Sequence, residues 1–223
     1  ASPFIHDGLI HHCAGGGIVS ALQGKGCVER NTVSENGHFE VRLSSGSSTN
    51  FEGNTICDGE FGVVVDTAAE GVFHKNHIQN LQLCAISVST AANTTFQRNV
   101  VTHAGQHTAV QIDENGLGQF LDNTIVGHHP VSVAVAVESG SNPYFKGNDF
   151  SNDSGGGVCV SGTGKGVFES NKFHHHRLAA IEITSGGDPI VKSNDICDGE
   201  ESGILVHDGG KGNISDNDIH DNA

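Results

Sequence analysis

The sequence predicts an all-β solenoid of about ten coils of 22–25 residues, with three short strands per coil and an internal file of asparagines. Three observations predict it. One asparagine recurs at a near-constant interval, four apolar columns keep fixed register with it, and a single turn absorbs all the variation in length.

The asparagines are Asn31, Asn54, Asn76, Asn99, Asn123, Asn148, Asn171, Asn194 and Asn217, at spacings of 23, 22, 23, 24, 25, 23, 23 and 23. Thirteen and eleven residues before each stand pairs such as Val63 and Val65, Val110 and Ile112, Val158 and Val160. Alternation with period two marks a strand with one face buried. Three residues before each asparagine stand Val28, Phe51, Phe73, Phe96, Phe120, Phe145, Phe168, Val191 and Ile214; two after it stand residues such as Ile56, Ile78, Phe150 and Phe173. This second pair straddles the asparagine, so that residue sits at a bend between two more short strands. Ser20 is the single break in these thirty-six positions. Strands this short cannot close a core alone, but stacked coils can.

Five residues before each asparagine the chain reads Gly26, Thr49, Gly71, Thr94, Gly118, Pro143, Gly166, Pro189 and Gly212. Coils therefore alternate between a glycine turn and a Thr or Pro turn, and the unit is a coil pair of roughly 46 residues. Pro3, Ile5, Gly8 and Ile10 fit the same columns, so the chain begins inside a tenth coil. The distance from an asparagine to the next strand runs from 9 to 12 residues, whereas the other segments are invariant. Binding loops are expected at that variable corner.

The unbroken register reads as one domain over residues 1–223. Ends that stop in mid-repeat without caps, and the lack of methionine, suggest an excerpt of a longer protein, or a rod that associates end to end. No apolar run is long enough for a membrane span, and no signal peptide is recognised. The net charge of −15 argues against nucleic acid and fits solubility or a basic protein partner. Of the six cysteines, Cys57 and Cys197 alone share a column, six coils apart, so disulfides are not expected. A reducing compartment, cytoplasm or nucleus, follows from that. Asn93, Asn152 and Asn213 begin glycosylation sequons, a pattern common by chance.

Candidate chemistry is sparse. The asparagine column reads as structural, with amides bonded to backbone and to one another. Gly162-Thr163-Gly164-Lys165-Gly166 faintly resembles a phosphate loop, but Gly166 replaces the required Ser or Thr and the turn recurs elsewhere. No cofactor is expected. Histidines crowd the variable turn: His11, His12, His103, His128, His129, His174, His175, His176 and His220. They read as solvated turn residues, with His103 and His128 or His129 as the alternative metal pair on successive coils. Ten residues before the asparagine stand Asp66, Asp113 and Glu138. Asp113 and Glu138 lie on neighbouring coils, about 5 Å apart by strand spacing. That suits solvated carboxylates or, as alternatives, a retaining glycosidase pair or a cation site. Arg42 is the sole basic residue of that face, and no aromatic side chain stands in its outward row for stacking on sugar.

The stretches NPYFKGNDF, GTGKGVFESNKF, GGDPIVKSNDICDGEESGILV and GGKGNISDNDIHDN resemble right-handed parallel β-helix repeats of the pectin-lyase-like superfamily. Their alternation of Asn/Asp-Pro and Gly-x-Gly turns is most similar to the β-helix of F-box-only proteins. That resemblance implies a right-handed parallel β-helix that recognises substrates for a ubiquitin ligase, although no F-box sequence is present. The first expectation is a non-catalytic protein-interaction module. The alternatives are a carbohydrate-binding or polysaccharide-degrading helix using Asp113 and Glu138, and a structural rod.

Overall fold

A computed structural model describes residues 2–103, 105, 107–127, 132–152 and 154–223. The chain winds into a parallel β-helix with three sheets. Sheet A has ten strands, from Phe4–His6 to Asn213–Ser215, and holds the residue three before each asparagine. Sheet B has ten, from Leu9–His11 to Asp218–His220, just after it. Sheet C has nine, from Ile18–Ser20 to Ile204–Val206, and carries the apolar pair thirteen and eleven before it. Among the described residues nine turns are complete, and the first coil contributes strands to sheets A and B alone.

Every strand pairs in parallel with its counterpart one coil away, so like residues stack on like. Phe73 lies between Phe51 and Phe96, and Val135 lies between Val110 and Val158. Away from the end coils the inner columns are fully buried, as Val65, Phe120, Ile125 and Ile183 illustrate. In sheet A the rings of Phe51, Phe73, Phe96, Phe120, Phe145 and Phe168 form one stack, with centroids 4.4–5.1 Å apart. The spacing of the rings is the spacing of the strands, so dispersion and area burial reinforce the backbone ladder.

The asparagine fills the bend between sheets A and B. The residue before it takes a left-handed conformation, as Lys75 (φ 55°), Arg98 (φ 54°) and Asp122 (φ 54°) do, and this swings the chain sharply. The bend turns peptide groups inward, and the amide satisfies them. Asn123 Oδ1 accepts from the Asn99 backbone N–H at 2.9 Å and from Asn99 Nδ2 at 3.0 Å. Its Nδ2 donates to Phe96 O at 2.9 Å and to Asn148 Oδ1 at 3.0 Å. The same pattern runs from Asn31 to Asn217.

The alternation of turns has a steric cause. Gly71 has φ 153°, and a Cβ there would lie 2.6 Å from Thr49 O on the coil below. Gly26 faces Pro3, Gly166 faces Pro143 and Gly212 faces Pro189 in the same way. A rigid Pro or Thr corner is thus followed one coil on by the residue that lacks a side chain. The polar break at Ser20 has a polar partner: its hydroxyl meets Thr49 Oγ1 at 2.7 Å.

One expectation needs correction. The turn histidines are not uniformly solvated: His103 and His176 are buried at the end of sheet B, pointing inward. The strands there run on further than the sequence pattern indicated: period two carries His103 inside, whereas a one-residue bulge at His175 (φ 54°) turns His176 inside, opposite Asn152. Asn152 is likewise buried, with Nδ2 donating to Gly156 O at 2.9 Å, so its sequon is sterically closed. The other two sequon asparagines, Asn93 and Asn213, are exposed.

Candidate functional site

The outward face of sheet C is where the sequence placed candidate chemistry. Its outward row reads Val19, Arg42, Val64, Ser87, Gln111, Ala136, Cys159, Glu182 and Leu205, each in register with the next. Short side chains on a flat parallel sheet leave an open surface. Midway along it lies a groove of ≈ 350 Å³, bounded by Phe61 and Leu83 on the variable corner and floored by Ser87, Gln111 and Asp113, with His107 at its side.

Asp113 and Glu138 come together as the spacing implied, since Ile112 stands opposite Val137 and the Glu138 N–H bonds Ile112 O. Both are half-buried rather than fully solvated. Burial raises the Asp113 carboxyl above the ordinary aspartate range, and the charges of Glu114 and Glu138 add to the shift. Glu138 accepts from Ser161 Oγ at 3.2 Å and from Gln111 Nε2 at 3.4 Å. Among the described residues no hydrogen bond to the Asp113 carboxylate is found.

Arg42, the one cation of the row, is already engaged. Its Nε lies 3.0 Å and its Nη2 2.8 Å from Asp66 Oδ2, and its guanidinium sits 5.9 Å from the Phe39 ring centroid. It stands three coils from Asp113, too far to act as a base beside it. At the far end of the face Glu182 accepts from His207 Nε2 at 2.8 Å, and Asp208 from Nδ1 at 2.9 Å. These bonds raise the His207 pKa, Glu182 contributing most.

Of the metal alternative, the structure describes His103 alone. His103 is buried, and its Nε2 donates to His107 O at 3.0 Å. His128 and His129 lie outside the described residues. Among the described residues two other groups converge, His11–His12–Glu35 and Asp195–Cys197–His220, each with ligand atoms within 4.8 Å of one another. All six cysteines are free thiols.

Sequence reasoning also missed a second polar position inside the variable corner. Asn36 accepts from the Cys13 N–H at 3.0 Å and donates to Ile10 O and Ser34 O. Asn222 does the same with Gly199, Ile196 and His220. These repeat the ladder geometry, and the signal was an asparagine five residues after Asn31 and again five after Asn217. Asn36 further bonds the buried carboxylate of Glu40, for which Gly59 leaves room.

A family model described as a right handed beta helix region matches residues 3–150 and 133–223. The chain belongs to the right handed beta helix family. No curated protein and no solved structure matches it. Among the described residues of this β-helix, no helix is long and apolar enough to cross a membrane.

Proposed function

We propose that this β-helix is a protein-recognition module of the cytoplasm or nucleus, whose sheet C face takes an extended, basic segment of a partner protein. One observation carries the reading: the face presents Asp113 and Glu138 beside an open groove, while the cation of its outward row, Arg42, is neutralised by Asp66. Unmatched carboxylates on a flat surface favour a partner that supplies Lys or Arg. The likeness of the repeats to the β-helix of F-box-only proteins supports the same reading, with substrate recognition for a ubiquitin ligase as the role. Fluorescence polarisation against a Lys/Arg-rich peptide library tests it. Binding should weaken with salt, and the double variant Asp113→Asn, Glu138→Gln should lower affinity about tenfold. A library without binders, or binding indifferent to the double variant, would refute the reading.

A second reading is favoured by the raised pKa of Asp113 within the groove, as a general acid requires. Here Asp113 gives its proton to the glycosidic oxygen as the C–O bond breaks, Glu138 bonds to the sugar carbon, and water then displaces Glu138 and returns a proton to Asp113. A reducing-sugar assay on polyuronides and a glycan array decide it. Activity that disappears in Asp113→Asn supports it, and silence in both assays removes it.

A further inference from the structure

The last two coils bring three metal-binding side chains to one spot on the outer face of sheet B. Strand Asp195–Cys197 pairs with strand Asp218–His220, and Cys197 stands opposite His220. Asp195 is on the same outward face, two residues before Cys197, and its Oδ1 lies 3.1 Å from His220 Nε2. The candidate ligand atoms of the three residues all fall within 4.8 Å of one another. We infer that Asp195, Cys197 and His220 form a zinc site, open to solvent at its fourth position.

Geometry and donor chemistry both fit. Zn–S of about 2.3 Å with Zn–N and Zn–O of about 2.1 Å sets tetrahedral ligands roughly 3.5 Å apart. Cys197 is buried and fixed by the strand, so it supplies the anchored ligand. Asp195 and His220 are about half exposed and free to swing the last ångström toward it. Thiolate, imidazole and carboxylate together select zinc over calcium or magnesium, which take oxygen donors. The second observation lies behind the histidine. With Nε2 facing the ligand group, Nδ1 donates to Asp221 Oδ2 at 2.8 Å. A carboxylate on the far nitrogen is what orients a zinc-bound imidazole and fixes its tautomer. On binding, the Cys197 thiol and His220 Nε2 release their protons to solvent; nothing is oxidised or reduced.

The molecule contains its own control. Two coils earlier, His174 Nε2 meets Asp149 Oδ1 at 2.6 Å, the same relation as His220 to Asp195. There the residue opposite the histidine is Ser151, and the far nitrogen faces His175 rather than a carboxylate. Without the soft ligand and the orienting carboxylate, that copy has no comparable hold on zinc.

Titration of the full chain with Co2+, followed by displacement with Zn2+, tests the site. The expected result is one equivalent of cobalt with a thiolate-to-metal charge-transfer band that zinc abolishes. Cys197→Ser and His220→Gln should remove the band, and Asp221→Asn should weaken affinity 10- to 100-fold. Cys13→Ser and His174→Gln should leave it intact. His220 is exposed, so His220→Gln keeps the fold, and circular dichroism checks Cys197→Ser. A wild-type chain without the band, or a band that survives Cys197→Ser, overturns the proposal.

Discussion

A ladder asparagine carries four hydrogen bonds on one buried side chain, so its removal is felt on two neighbouring coils. Asn123→Ala strands the Asn99 N–H and amide, Phe96 O and Asn148 Oδ1 in an interior without replacement partners. At about 1 kcal/mol or more for each lost partner, the expected loss is roughly 3–5 kcal/mol. Asn217 is half-exposed, its Nδ2 donates to Val191 O alone, and water can replace what it offers, so Asn217→Ala should cost about 1 kcal/mol. Urea unfolding of the two variants side by side measures the contrast, and equal losses would contradict the burial argument. His176 shows the opposite condition. Among the described residues neither of its ring nitrogens meets a hydrogen-bond partner. Burial, then repulsion from His174 and His175, lowers its pKa from 6.5 to about 4. Between those values the unfolded chain binds the proton and the folded chain does not. Stability is therefore fully present above the unfolded pKa and falls as pH drops from about 6.5 to about 4, by up to about 3 kcal/mol. His176→Phe, next to the Phe173 ring, should flatten that part of the stability profile measured by urea unfolding across the pH range. A profile as steep as the wild type would assign the loss to other groups.

At the scale of the coil, the corner between sheets C and A fixes the 46-residue pairing of turns. Gly71→Ala places a methyl 2.6 Å from Thr49 O and 2.9 Å from Leu43 Cδ2, in a backbone conformation that alanine resists. The expected loss is about 2 kcal/mol or more, read as a fall in melting temperature. Gly15→Ala is the matched control, since a Cβ there meets nothing within 4 Å. This corner was legible in the sequence as an alternation, but its cause was not. A glycine column and a Pro or Thr column become one fact only when the coils are stacked and the carbonyl of one lies beneath the Cα of the next. The same limit applies to the sites. Inner columns repeat because stacking demands it, and so the Asn and Phe files could be read from spacing. Outward positions carry no such demand, and each site there is a single event. Cys197 and His220 are nonetheless 23 residues apart, one coil period, and both stand three residues after a ladder asparagine. Comparing cysteines with cysteines and histidines with histidines hides that pair; comparing all ligand types within one column exposes it. His103 and His176 misled for a different reason: the strand ran on past the expected turn, so that alternation turned His103 inward and a one-residue bulge at His175 turned His176 inward.

Over the whole rod, each coil touches its neighbours alone, so stability is a sum of coil and interface terms along one axis. Inner coils are covered on both sides and bury Val65, Ile125 and Val160 completely. The last coil is covered on one side and leaves Val206 47 % and Ile219 46 % exposed. Opening should therefore start at the two ends of this chain and move inward, since each terminal coil gives up one interface where a central coil gives up two. Native-state hydrogen exchange should show protection rising from Ile204–Val206 and Ile18–Ser20 toward Val110–Ile112 and Val133–Val137. Asn123→Ala supplies the sharper test, because it weakens the interfaces at the centre of that gradient. In a one-dimensional array the variant should open a second exchange front in the middle coils while leaving protection at the ends unchanged. A globally cooperative fold would instead lower protection everywhere by the same amount, and that outcome would show that coupling in this β-helix reaches well beyond nearest neighbours.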